Sequence, residues 1–170
     1  MRPSDKYKPG QLIDIDLSED CERVIEGALV KQTTRIFLLL LFKRPRFDGF
    51  IAFRDKDVKR WRTWSRKEVK RLTRDNRAKW LSEYPFDMVG SFQTFFQMMR
   101  EEPLGVSLYG EEGFYVGMVR RIDRRSVRMF LVNEDADRTW LRTFPLKRIE
   151  SIEFTPYTKK FKSLLTSNEN

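Results

Sequence analysis

The sequence has no histidine and a single cysteine, Cys21, in 170 residues. Without histidine the commonest general base is missing, along with most nucleophile–base pairs and most zinc sites. One cysteine cannot close an internal disulfide or form a CxxC pair. That count fits a reducing compartment, and Cys21 has no histidine to activate it as a nucleophile. Long apolar runs are also missing. The longest covers residues 36–42, whereas a membrane-spanning helix needs about 20 apolar residues. The opening residues Met1-Arg2-Pro3-Ser4-Asp5 lack the apolar stretch of a signal peptide. No phosphate-cradling glycine loop, serine-nucleophile motif or dinucleotide fingerprint occurs. These absences predict a soluble, cytoplasmic protein that is not an enzyme, holds no cofactor and has no membrane partner.

What is present points to a folded chain with a heavily charged surface. Hydrophobic residues make up 40% and aromatics 14%, enough for a packed core. The net charge is +9, and its distribution says more than its size. Residues 1–86 carry a net +8, whereas residues 87–170 carry +1. The excess sits in residues 54–79, with 12 basic and 4 acidic side chains. This is a local basic patch on an otherwise balanced chain.

Periodicity predicts strands. Ile13-Asp14-Ile15-Asp16-Leu17 alternates with period two, as a half-buried strand does. A turn at 18–20 leads to a second strand over about 22–31. The apolar run 36–42 reads as a central strand covered on both faces. Pro45 ends it, Asp48-Gly49 bends the chain, and strands follow at 50–54 and 58–64. Ser65-Arg66-Lys67-Glu68 fits a capping box and predicts a helix over about 66–81. Asp87 is placed to cap a second helix reaching about 102. Its apolar face is Met88, Phe92, Phe95, Phe96 and Met99, at helical spacing.

Past Pro103 the pattern of the first half returns. Strands are expected at 104–109, 114–122, 126–133, 138–144 and 149–154, and a short helix or tail over 157–165. Glu26-Gly27-Ala28-Leu29-Val30 aligns with Val116-Gly117-Met118-Val119-Arg120, and Phe53 precedes Val58 by the interval that separates Phe144 from Ile149. Short, strongly bent antiparallel strands hide their edges by closing into small barrels. The expectation is a mainly β fold with short helices: two tandem five-stranded barrels, 1–83 with the basic helix and 84–170 led by the amphipathic helix. A single larger β-sandwich is the alternative.

In the second half, Val106 and Leu108 precede the Gly110–Gly113 turn, then Gly117, Val119, Ile122 and Asp123 follow. This spacing resembles the first motif of the Sm-like family (the Sm, LSm and Hfq fold), which has an N-terminal helix and five bent strands. The resemblance covers about 75 residues there. It extends more weakly to the first half, where Gly27 and Leu29 fit but Thr33 replaces the aspartate. It implies small Sm-like or SH3-like barrels. It does not imply the family's base pocket, because the asparagine position falls near Val127 and residues 144–149 supply no Arg-Gly pair.

The strongest functional feature is the basic aromatic segment. Lys59, Arg60, Arg62, Arg66, Lys67, Lys70, Arg71, Arg74, Arg77 and Lys79 accompany Trp61 and Trp64. Such cations neutralise phosphates, and an exposed tryptophan stacks on a base. Trp61 and Trp64 cannot share one strand face, so one of them is expected in the core. Arg120, Arg121, Arg124, Arg125 and Arg128 form a second cluster around Asp123. Either cluster also has a blander reading, as a solvated or salt-bridged surface. The aspartate pairs 14/16, 55/57 and 135/137 lack the further ligands a metal site needs. The functional expectation is a non-catalytic binding module associated with nucleic acid, possible RNA. The alternative is a protein-interaction scaffold, acting as a homo-oligomer or with another protein through free barrel edges and the aromatic helix.

Overall fold

In the computed structural model, which describes residues 8–17, 24–72 and 74–167, the period-two segment becomes strand β1, Leu12–Asp16. Cys21 and the turn expected at 18–20 lie outside the described residues, as does the start expected for the second strand. The chain divides into two compact units, Met1–Gly90 and Ser91–Asn170.

In the first unit β1 is followed by β2 (Val24–Gln32), β3 (Ile36–Lys43), β4 (Arg46–Arg54) and β5 (Arg60–Thr63). The order is β5-β1-β2-β3-β4, and every pairing is antiparallel. Odd-numbered apolar residues share one face: Ile13, Ile15, Leu29, Phe37, Leu39, Leu41, Ile51 and Phe53 form its core. β3 pairs with β2 and β4 along its edges and is buried on both faces, since Leu38 and Leu40 are covered as well as Phe37, Leu39 and Leu41. On the even face Phe50 is met by Trp80, Tyr84 and Phe86 at ring-centroid distances of 5.2, 5.5 and 4.9 Å.

The second unit contains β6 (Leu104–Leu108), β7 (Phe114–Ile122), β8 (Ser126–Val132), β9 (Thr139–Pro145) and β10 (Ile149–Phe154). Their order is β10-β6-β7-β8-β9, again antiparallel. Both units therefore run four strands as a meander and return the fifth to the first. The registers coincide as well. Gly27 faces Leu41 and Gly117 faces Leu131; Lys31 faces Leu38 and Arg121 faces Arg128. Each strand bulges after its glycine, between Leu29 and Lys31 or between Val119 and Arg121, and a bulge bends and twists a strand. The hairpins close alike: Thr33 N–H donates to Ile36 O at 2.9 Å, Asp123 N–H to Ser126 O at 2.8 Å.

The chain is mainly β with short helices. Among the described residues the strand order within each unit is linear, so the sheets are open where closed barrels were expected. Closure would need β5 to pair with β4 along its second edge, and this four-residue strand pairs with β1.

The helices differ from expectation in instructive ways. The stretch 66–81 forms two helices, α1 (Arg66–Lys70) and α2 (Arg77–Glu83). The break falls where the Asn76 side chain pairs with the Phe47 backbone. Its Oδ1 accepts from Phe47 N–H at 2.9 Å and its Nδ2 donates to Phe47 O at 2.8 Å. A side chain so used cannot cap α2, and no cap bond is made there. The aromatic helix α3 spans Phe92–Met98, with Ser91 and not Asp87 as its cap. Asp87 lies in a 3-10 turn at Phe86–Met88, and Met88 is 74% exposed instead of joining the apolar face. Two short helices, α4 (Pro156–Lys159) and α5 (Lys162–Ser167), follow β10. Phe161 and Leu165 pack on Val116, Met118 and Val132. No helix among the described residues is long and apolar enough to cross a membrane.

Candidate nucleic-acid interface

Alternation along β1 puts Ile13 and Ile15 in the core and turns Asp14 and Asp16 to the other face. The β1–β5 register sets Arg62 opposite Asp14 and Arg60 opposite Asp16, so opposite charges face each other across the pair. Arg62 bonds the Asp14 carboxylate, and it also holds Glu68 through two bonds of 2.8 and 3.0 Å. Glu68 in turn accepts from Ser65 N–H at 2.7 Å, and the Ser65 hydroxyl accepts from Glu68 N–H. This is the capping box expected from sequence, here tied to the sheet by one arginine. Trp64 completes the network by donating its indole N–H to Asp14 at 2.6 Å.

The hydrogen bonds from Arg62, followed by those from Ser65, lower the Glu68 carboxyl from its ordinary 4.5 to about 2. The same contacts, Glu68 first and then Asp14, push the Arg62 guanidinium up. A carboxyl lowered in the folded state stabilises the fold above its ordinary pKa and loses that effect as pH falls. The expected window therefore runs from pH 4.5 down to about 2. A side-chain carboxyl NMR titration should show Glu68 with a midpoint near 2, and Arg62→Ala should raise it, while the Ser65 bonds still hold it below the ordinary carboxylate range. An unshifted midpoint in the unchanged protein would contradict the network.

The basic candidates separate into two groups. Arg62 is occupied by two carboxylates. Arg77 is held by Asp75, donates to Gly10 O at 2.7 Å and lies 5.8 Å from the Phe47 ring centre. Arg66, Lys67, Lys70, Arg71 and Arg74 are exposed, with no acidic partner among the described residues. At about 100° per residue, the first four of these fall within roughly 140° of one side of α1, and Glu68 faces away from them toward Arg62. Lys59, Arg60 and Lys79 are exposed too. Trp61 and Trp64 have different fates, as their odd spacing requires. Trp61 packs on the core beside Phe37, while Trp64 stands beyond the end of β5.

In the other unit, Arg120 lies 5.2 Å from the Phe130 ring centre and Arg121 pairs with Asp123 at 3.2 Å. Arg124, Arg125 and Arg128 are exposed. No group of three or more metal-binding side chains is assembled among the described residues.

Beside Trp64 the structure forms a feature that sequence reasoning missed. Phe42, Pro45, Trp64 and Leu72 line a cavity of about 230 Å³, with Glu26, Arg44, Glu68 and Arg71 also contributing. The rings of Phe42 and Trp64 meet at 82° with centroids 5.2 Å apart. Arg44 lies 3.7 Å from Glu26, and its side chain is 81% exposed. The local sequence signal was the run Lys43-Arg44-Pro45-Arg46, a basic hairpin turn next to an aromatic residue.

The matching registers provide an internal control. Where β1 and β5 oppose Asp14 and Arg62, β6 and β10 oppose Gly105 and Glu153. The second unit fills that space with the Phe114 ring, 2.7 Å from where a Gly105 side chain would begin. The same sheet order thus forms without the charged network, so the fold does not require it. No protein-family model, curated protein or solved structure matches the chain.

Proposed function

We propose that this protein is a non-catalytic binding module for nucleic acid, with residues 59–79 as its electrostatic platform. The observation that carries the reading is the row of Arg66, Lys67, Lys70 and Arg71 along one side of α1, free of acidic partners among the described residues. Cations left unpaired on one side keep their charge available for phosphates. The capping box and Arg62 brace α1 against the sheet, which supports a fixed platform over a fluctuating one. The finer fold reading, two tandem Sm-like modules, is supported by the coincident strand orders, bulges and hairpin bonds. It is a statement about ancestry and architecture, and function has to rest on the site. A protein scaffold built on the aromatic helix is less favoured, since Phe92, Phe95 and Phe96 are buried.

The test is fluorescence anisotropy with single-stranded RNA, single-stranded DNA and duplex DNA over a salt series. Contact with roughly four to six phosphates predicts a log–log slope of about −3 to −4 for a single strand. Affinity should then fall roughly 50- to 300-fold between about 50 and 200 mM salt. Weak binding that ignores salt would refute the reading.

A further inference from the structure

We infer that the cavity beside the Phe42–Trp64 pair receives one unpaired base, and that the ligand is therefore a single strand; this rests on the nucleic-acid reading above. Trp64 is fixed by its bond to Asp14, so its ring is presented without a further ordering cost. Phe42 stands perpendicular to it and in contact with it, so the two rings form a corner of the cavity. A planar ring fits such a corner. The cavity is smaller than the roughly 300–1,000 Å³ that encloses a drug-sized ligand, which suits a base and leaves its sugar and phosphate outside.

The surroundings select the charge of what enters. Within the rim, Arg44 is balanced by Glu26 and Glu68 is already bound to Arg62. Arg71 has no acidic partner among the described residues and lies next to the cationic side of α1. A polyanion is drawn to this face, and a cationic side chain is repelled. Arg71 can take a phosphate beside the inserted base. A paired base has its faces covered by its neighbours and cannot enter without being extruded. Duplex DNA should therefore reach only the phosphate-binding side of α1.

The experiment compares a labelled single-stranded oligonucleotide with an abasic strand of equal length and charge, with a duplex and with polyglutamate of matched charge. The intact strand should bind roughly 5- to 150-fold tighter than the abasic one, the range stacking on an aromatic ring supplies. Trp64→Leu should bring the intact strand down to the abasic level and leave the salt slope unchanged. Phe42→Leu, on the adjoining wall and not bonded to Asp14, repeats the test if Trp64→Leu disturbs folding. Equal binding of intact and abasic strands, with a steep salt slope, would overturn the base pocket and leave the platform standing. Polyglutamate binding as tightly as the intact strand would overturn it in favour of an acidic protein segment. No binding of any nucleic acid would remove both this inference and the reading beneath it.

Discussion

Replacing Gly117 with alanine is expected to cost about 3 kcal/mol or more, at the upper end of what overpacking produces. The reason is local and geometric. A side-chain carbon at Gly117 would overlap Phe130 O and come within 3.0 Å of Leu131 Cα. Both obstacles are backbone, held by the β7–β8 ladder, and cannot swing aside. Gly27 faces the same situation, with Leu40 O 2.5 Å from its missing side chain. Gly27→Ala should therefore cost a similar amount in the first unit. The bulge two to four residues further on explains both, because bending the strand brings its partner's carbonyl over the glycine. Gly90→Ala is the control. Nothing lies within 4 Å of that position, so the change should stay within about 1 kcal/mol. Urea unfolding followed by circular dichroism would measure all three. If Gly27→Ala and Gly117→Ala unfolded like the unchanged protein, the shared strand geometry would be wrong.

Changing Lys67, Lys70, Arg71 and Arg74 together to glutamate should weaken single-strand binding by at least about 10³-fold at about 50 mM salt. The estimate follows from losing roughly four phosphate contacts at about 0.7 of log–log slope each. None of the four side chains takes part in the Ser65–Glu68 capping box or the Arg62 network, so α1 should persist in the variant. Its circular dichroism spectrum should match that of the unchanged protein. The same fourfold change at Arg120, Arg121, Arg124 and Arg125 should weaken binding far less, since Arg120 packs on Phe130 and Arg121 pairs with Asp123. Equal losses in the two variants would move the interface away from α1.

Much of this protein is legible in its sequence because many of its determinants are local. Period-two alternation marks β1, and an apolar run flanked by turns marks the interior strand β3. The Ser65–Glu68 box needs only neighbours along the chain, and it forms. The pairing of Gly27 with Gly117 is also visible, since a glycine forced by backbone approach is forced in both units.

What stays hidden depends on partners distant in the chain. Asn76 interrupts the expected helix because it finds the backbone of Phe47, 29 residues earlier. Arg62 reads as a free cation until β1 brings Asp14 to it across 48 residues. Met88 has helical spacing to Phe92, yet the chain turns between them and leaves it exposed. The sequence by itself determines the strands, the turns, the cap and the concentration of positive charge, all set by short-range sterics and hydrogen bonding. Only the tertiary structure decides which cations remain unpaired and where Phe42 meets Trp64, because both depend on strand register, which juxtaposes residues that composition and spacing cannot connect.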